Sequence, residues 1–366
     1  MRVPSFVQRD HPLAPYTSLA LGGPAEFFCQ ASSRAELQAA CSWAKSARVP
    51  LTVLAGGSNV VVADAGVPGL VVHLVWPGVE VLAEGEGRTL VAAAGTPLDQ
   101  LVALTVQEGW QGLECLSGIP GSVGAAPVQN VGAYGQEIAQ VLLWVEALHR
   151  QNLSLQRFAP SQCGFAYRQS RFRQATPWII TRVALRLCPG GFALACHPEL
   201  SRLLGTPRGT PSLSQVREAV LTLRRAKGML LDPHRPLPGS VGSFFKNPVL
   251  SPKAWESLKA RLWAQGVLPP GEAPPHMTLG EGIKVAAAWL MEQAGFARGL
   301  RHGAVGISPH HALALVHWGG GTTQALLDLA SAIQQRVEQT FGISLEPEPI
   351  FFGFGSTPPL RHAVTL

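Results

Sequence analysis

This sequence is short of charge, of cysteine and of long apolar runs, and each shortage excludes something. Only 14% of its 366 residues are charged while 46% are hydrophobic, which argues against a disordered or solvated tail and for a well-packed chain. Lys and Arg (29) outnumber Asp and Glu (23) for a net charge of +6, yet no basic run is longer than Arg224, Arg225 and Lys227. A nucleic-acid surface concentrates its charge more than this, so no nucleic-acid partner is expected and a small anionic ligand suits the bias. The six cysteines, at 29, 41, 115, 163, 188 and 196, include no CxxC pair and no ligand-like Cys/His spacing. Neither a disulfide framework nor a metal site is signalled, and a reducing cytoplasm is the expected setting. The longest apolar stretch, NVVVADAGVPGLVVHLVW, is broken by Asp64, Gly66, Pro68 and His73, and MRVPSFVQRDHPLAPY lacks an apolar signal core. No membrane insertion is expected.

What is abundant is glycine (39) and proline (30), so short elements are expected, in a chain long enough for two or three domains. Ser33-Arg34-Ala35-Glu36 reads as a capping box, followed by Leu37, Ala40, Cys41 and Ala44 at helical spacing. LTVLAGG reads as a strand entering a glycine turn, GLVVHL and TLVAAAG as strands, and PLDQLVALTVQEGW as a helix. VLLWVEALHR, LSLQRF and WIITRVALRL are further strands. Past a Pro/Gly-rich zone around CPGG and GTPRGTP, Val216, Ala219, Val220 and Leu223 mark a helix face, IKVAAAWLMEQAGF and TTQALLDLASAIQQRVEQTFG read as helices, and ALALVH as a strand. The class is α+β, with a domain boundary near residue 205.

Two glycine loops invite a phosphate reading: AGGSNVV at 55–61 and GIPGSVG at 118–124. Glycine admits positive φ and lets N–H groups converge on an anion, while Ser58, Asn59 and Ser122 add short donors. Neither loop has the GxGxxG or GxxxxGK[ST] spacing, so the Rossmann and P-loop readings fail and tight turns remain the plain alternative. The second loop continues into PVQNVGAYG, where Gln129, Asn130 and Tyr134 offer hydrogen bonds that a mere turn does not need. CGFAYRQSRF sets Tyr167 and Arg168 between apolar stretches, either as a surface ion-pairing arginine or as a carboxylate clamp. GSFFKNP holds Ser243 beside two phenylalanines without a GxSxG elbow, so a turn into a buried aromatic pair competes with a site, and a hydrolase nucleophile is disfavoured. In LEPEPIFF, Glu346 and Glu348 alternate with prolines and would face one side of an extended segment, which taken alone reads as a solvated edge.

Taken in order, AGGSNVV, GIPGSVGAAPVQNVGAYGQ, FAYRQSRF, RRAKG, GSFFKNP, AAWLMEQAG and LEPEP closely resemble the motifs of the UDP-N-acetylenolpyruvoylglucosamine reductase (UDP-N-acetylmuramate dehydrogenase) family, over about residues 15 to 352. The resemblance implies a two-lobed FAD-binding domain of the vanillyl-alcohol oxidase type, with lobes at 1–75 and 76–205. An α+β substrate-binding domain at 206–345 and a C-terminal strand at 346–366 returning to the active site would follow. It implies NADPH-dependent, FAD-mediated reduction of UDP-N-acetylglucosamine enolpyruvate to UDP-N-acetylmuramate in peptidoglycan synthesis, by a cytoplasmic monomer. Arg168 would hold and polarise the substrate carboxylate, Glu348 would assist, and Ser243 would deliver the proton. FAD would lie against Gly56, Gly57, Ser58, Asn59 and Val60, then Gly118, Ile119, Pro120, Gly121, Val123 and Gly124, then Gln129, Asn130, Gly132, Tyr134 and Gly135. Tyr167, Lys227, Asn247 and Gln293 match positions lining the substrate and NADPH pocket. No metal is implied.

Two departures stand out. The first loop reads AGGSN where a third glycine is common, and longer family members carry a loop tyrosine where CHPEL places His197. A flavin oxidase of the same fold and a flavin-binding protein without turnover are the rival readings; the intact Arg168, Ser243 and Glu348 motifs oppose both.

Overall fold

The computed structural model describes residues 3–84, 87–173, 176–190, 197–205, 211–231, 237–355 and 359–360; Cys196 of CHPEL and most of GTPRGTP lie outside them. The chain forms two compact units, one of Met1–His11, Ala25–Gly57 and Val67–Leu231, the other of Pro12–Pro24, Ser58–Gly66 and Asp232–Leu366.

In the first unit, strands Pro24–Ala31, Val67–Leu74 and Leu51–Leu54 run parallel in that order across a sheet, and helix Arg34–Ala47 links the first to the last. The helix buries Leu37, Ala40, Cys41 and Ala44 against Phe27, Cys29, Leu70 and Val72. Full burial of a leucine such as Leu37 contributes about 1.5–3 kcal/mol. Ser33 Oγ accepts the Glu36 N–H at 3.2 Å, but the Glu36 carboxylate takes the N–H of Ser32, at 2.6 Å, in place of that of Ser33. The expected box thus closes one residue further out. A second sheet, entirely antiparallel, has the order Leu155–Phe158, Leu142–His149, Trp178–Pro189, Gly87–Ala93, Val79–Glu84. Helices Leu98–Gln107 and Leu213–Ala226 share its core through Leu101, Val102, Val216 and Val220. The amphipathic helix Leu213–Ala226 covers its apolar face there, so the unit runs on past residue 205 to Leu231.

The second unit holds an antiparallel sheet of Gly239–Ser240, Leu315–His317, Val305–Ile307 and Arg301–His302 and a smaller one of Val249–Leu250, Gly282–Val285 and His276–Leu279. Helices Pro252–Ala264, Ala287–Gln293 and Thr323–Phe341 enclose a core containing Leu258, Leu290, Leu326 and Ile333. IKVAAAWLMEQAGF is therefore not helical from its start: Ile283 and Lys284 pair with Leu250 and Val249, and the helix begins at Ala287. Pairing with a distant strand overrides local helical spacing there. Among the described residues no helix is long and apolar enough to cross a membrane, and no group of three or more His, Cys, Asp or Glu could hold a metal ion.

Candidate active site

Strand Leu51–Leu54 runs into the first glycine loop, where the backbone meets the second loop directly: a Cβ on Gly56 would lie 2.7 Å from the Cα of Gly121. Gly121 also carries φ of 109°, so neither position admits a side chain without displacement. Around this contact the amides of Gly118, Ile119, Val123 and Gly124 donate to Asp99 Oδ1, Leu116 O, Thr96 O and Ala94 O, at 2.6, 3.2, 2.8 and 2.9 Å. The expectation that these N–H groups face a diphosphate is corrected: an N–H in a close-packed turn must find an acceptor, and these four find it inside the protein. Ser122 Oγ is buried and bonds to no protein atom among the described residues. A buried hydroxyl left so costs about 1–3 kcal/mol, a cost that a bound acceptor removes. With a glycine contact where side chains would intrude, this bed fits FAD.

Gly118 is held from both sides. Arg224 Nε donates to its carbonyl at 3.1 Å while the Asp99 carboxylate takes its N–H. Arg217, two helical turns before Arg224, forks onto Asp99 at 2.6 and 3.0 Å. Burial pushes the Asp99 carboxyl up, but the hydrogen bonds from Arg217 and Gly118 and the charges of Arg217 and Arg224 outweigh it and leave the carboxyl below its ordinary range. Sequence reading singled out neither Asp99 nor Arg217 as a site residue. The signal was two arginines on one face of an amphipathic helix, visible only as spacing.

Further along, Tyr134 and Gly135 form the two-residue corner of a hairpin between Gly132–Ala133 and Gln136–Glu137, both with positive φ. Asn130, buried with φ of 46°, spends its amide on Glu137, Ala166 and the Ala139 N–H, so it braces this hairpin. Gln129 accepts from Arg173 at 3.2 Å. The FAYR segment is a tight turn: Ala166 and Gln169 exchange backbone hydrogen bonds and Tyr167 and Arg168 form the corner, with Arg168 at φ 54°. Turns need glycine at such a position, and an arginine held there marks a strained placement of the kind that gathers at functional sites. Its guanidinium donates to Gly132 O at 3.0 Å, tying the clamp candidate to the glycine stretch.

Beside the hairpin tip, Lys227 Nζ pairs with Glu199 and lies 5.7 Å from the Tyr134 ring, and His197 sets its ring edge-on to Tyr134 with centroids 5.2 Å apart. Burial raises the Tyr134 phenol above its ordinary pKa. His197 Nδ1 accepts the Glu199 N–H at 3.3 Å and so caps helix Pro198–Leu204. The histidine standing where longer family members carry a tyrosine is thus packed on another tyrosine.

The second unit gathers Ser243, Glu348 and Asn59. Phe244 and Phe245 are fully buried, edge to face at 5.2 Å, and the Phe244 N–H donates to Leu313 O at 2.7 Å, which leaves Ser243 half-buried at the lip of the core. Phe244 O accepts from the Glu348 N–H at 2.8 Å, Lys246 N–H donates to Glu346 O at 2.9 Å, and Phe245 lies opposite Pro347. Two motifs 100 residues apart are therefore joined as an antiparallel pair, reinforced by the Lys246–Glu346 ion pair. Burial alternates along 345–349, with Leu345, Pro347 and Pro349 inside and Glu346 and Glu348 half-exposed, as period two requires. Asn59, from the first glycine loop, accepts the Ile350 N–H at 3.0 Å and directs Nδ2 to Glu348 O at 3.4 Å; Val60–Val62 then runs parallel to Ile350–Phe352. Asn247 Oδ1 takes the N–H of Ala287 at 2.9 Å and so caps the helix whose exposed last residue is Gln293.

Residues 232–352 match the model of the UDP-N-acetylenolpyruvoylglucosamine reductase C-terminal domain, and residues 25–152 match an FAD binding domain. The chain is 43% identical to the UDP-N-acetylenolpyruvoylglucosamine reductase of Thermobifida fusca, covering 94% of this chain and 98% of that one. It is 40% identical to that of Streptomyces coelicolor, covering 94% and 90%. The crystal structure of the reductase from Thermus caldophilus superposes with a TM-score of 0.62 at 28% identity, over 94% of this chain and 98% of that chain.

Proposed function

This chain belongs to the UDP-N-acetylenolpyruvoylglucosamine reductase family and is an FAD-dependent oxidoreductase of peptidoglycan precursor synthesis; from that premise we propose that NADPH is its reductant and that Arg168, Ser243 and Glu348 carry its chemistry. The substrate is UDP-N-acetylglucosamine enolpyruvate and the product UDP-N-acetylmuramate. Bound FAD supplies the hydride that reaches the terminal vinyl carbon of the enolpyruvyl ether. Negative charge then builds at the neighbouring carbon and spreads into the carboxylate, and the barrier falls only if that charge is stabilised and then protonated.

Arg168 holds the carboxylate through its planar fork, and Glu348 assists its polarisation. Ser243 Oγ–H gives its proton to the carbon bearing the ether oxygen and recovers one from solvent. A serine hydroxyl is a weak acid, but a carbanion-like acceptor in fixed geometry is basic enough to take its proton. FAD would be held by Gly56, Gly57, Ser58 and Val60 and by the bed of 118–124, where Ser122 Oγ adds a donor, together with Tyr134 and Gly135. Asn59 serves Glu348, whose backbone it brackets. Tyr167, Lys227, Asn247 and Gln293 contact the substrate or NADPH, and Lys227 exchanges Glu199 for the nucleotide diphosphate. The enzyme acts in the cytoplasm as a monomer.

The observation that carries this reading is the bond from Glu348 N–H to Phe244 O, which makes the proton donor and the second acid neighbours on paired segments. The test is an anaerobic assay of the two half-reactions. NADPH should bleach the yellow protein, and the enolpyruvyl sugar nucleotide should restore the colour. A folded, colourless protein that takes up no FAD sinks the cofactor site, and reoxidation by oxygen alone without response to the vinyl ether sinks the substrate.

A further inference from the structure

We propose that Asp99 and Arg217 form a positioning pair for the cofactor bed: Asp99 holds the Gly118 peptide in place, and Arg217 cancels the charge that Asp99 would otherwise present to the FAD diphosphate. The inference rests on the reading of 118–124 as the bed. Gly118 has φ of 69°, and a Cβ there would strike Leu230, Leu221 and Arg224, so its peptide is fixed by its surroundings. The N–H of that peptide points at a carboxylate, with Asp99 Oδ1 at 2.6 Å. A carboxylate locks the peptide well, because a charged acceptor makes the stronger hydrogen bond.

It also places a negative charge against the first residue of the loop that must receive a ligand carrying two more. Uncompensated, it would repel that ligand over a distance at which charges still interact. Arg217 meets both carboxylate oxygens, at 2.6 and 3.0 Å, and is itself mostly covered, with 17% of its side chain exposed. Arg224, on the same helix, secures the following peptide through Gly118 O and ties itself to Met229 O at 3.0 Å. Helix Leu213–Ala226 therefore presents two guanidinium groups to the bed, one neutralising and one anchoring.

The experiment uses full-length, flavin-loaded protein, diluted while the fluorescence of released flavin is followed, at low and high ionic strength. Arg217→Met should weaken FAD retention about tenfold at low salt, because it leaves Asp99 unpaired, and the deficit should shrink at high salt. Adding Asp99→Asn to Arg217→Met should recover most of the loss, since the amide oxygen still accepts from Gly118 and carries no charge. Asp99→Asn alone, which keeps the Arg217 charge, should bind FAD at least as tightly as the parent chain and serves as the test if Arg217→Met does not fold. The proposal is overturned if Arg217→Met retains FAD like the parent, if its deficit ignores salt, if the double variant is no better than the single one, or if Asp99→Asn alone loses FAD. A parent chain that binds no FAD would instead sink the reading of the bed itself.

Discussion

The two compact units hold their functional side chains by different means. In the first, charged side chains do the holding: Asp99, Arg217 and Arg224 fix Gly118, Arg168 reaches Gly132 O, and Glu146, 5% exposed, takes hydrogen bonds from Arg34, Arg182 and Thr181. In the second, main chain holds main chain: Phe244 to Glu348, Lys246 to Glu346, Asn59 to Ile350. The difference follows from what each must present. A cofactor bed needs bare backbone, so Gly118 at its start is steadied by side chains reaching in from elsewhere. An acid and a proton donor act through their side chains, so the backbone carries the bracing.

The sharpest break in this comparison is Ser243→Ala. Flavin reduction by NADPH should persist while reduction of the vinyl ether falls about 10²–10⁴-fold, read by anaerobic stopped-flow absorbance of the flavin. If both half-reactions run at the parent rate, the role given to Ser243 is wrong. Next in size is Gly56→Ala, which drives a methyl into the Gly121 backbone at 2.7 Å. It should cost about 1–3 kcal/mol of stability and yield protein that loses FAD on a desalting column. Gly78→Ala in the same unit, where a Cβ meets only Ala93 at 3.7 Å, is the control and should stay yellow.

A smaller effect is expected where the backbone holds. Asn59→Ala removes the side-chain bond to Glu348 O and keeps the main-chain bond from Ile350. Loss of about 0.5–1.5 kcal/mol should slow the vinyl half-reaction by roughly three- to tenfold with FAD retention unchanged; a variant that instead sheds FAD would return Asn59 to the cofactor.

The smallest difference concerns pH. For Glu146, burial raises the carboxyl but the hydrogen bonds and charges of Arg182, with Arg34 and Thr181, bring it below its ordinary range, and Asp99 is lowered likewise. A carboxyl depressed by folding stabilises the folded state fully above its unfolded pKa, and that contribution is lost as pH falls through the folded value. Hydrogen exchange at about pH 3 should therefore show the first unit losing protection ahead of the second, relative to neutral pH. Equal loss in both units would remove the contrast.

Much of the fold was legible in local pattern. Helix Arg34–Ala47 declares itself through Ser33 and four buried positions, and Thr323–Phe341 through unbroken helical spacing. The strands from Leu51 to Trp178 follow apolar runs bounded by glycine and proline. Ile283 and Lys284 were misread because their state depends on Val249 and Leu250, more than thirty residues away. Of the site, the motif residues stood out by type, and the resemblance supplied their roles. The commitment of the Gly118, Val123 and Gly124 amides to internal acceptors was invisible, since nothing near them in sequence names Asp99, Thr96 or Ala94 as partners.

The amino-acid order alone determined where glycine permits backbone to approach backbone, which helices have one apolar face, and that serine, arginine and two glutamates sit in short motifs of unusual specificity. Only tertiary structure decided that Gly56 would touch Gly121, that GSFFKNP would pair with LEPEP, and that Arg217 and Arg224 would turn toward the glycine bed. The reason is physical. Conformational preference is a property of a few neighbouring residues, whereas a hydrogen bond or an ion pair needs a partner whose position is set by the burial of the whole core.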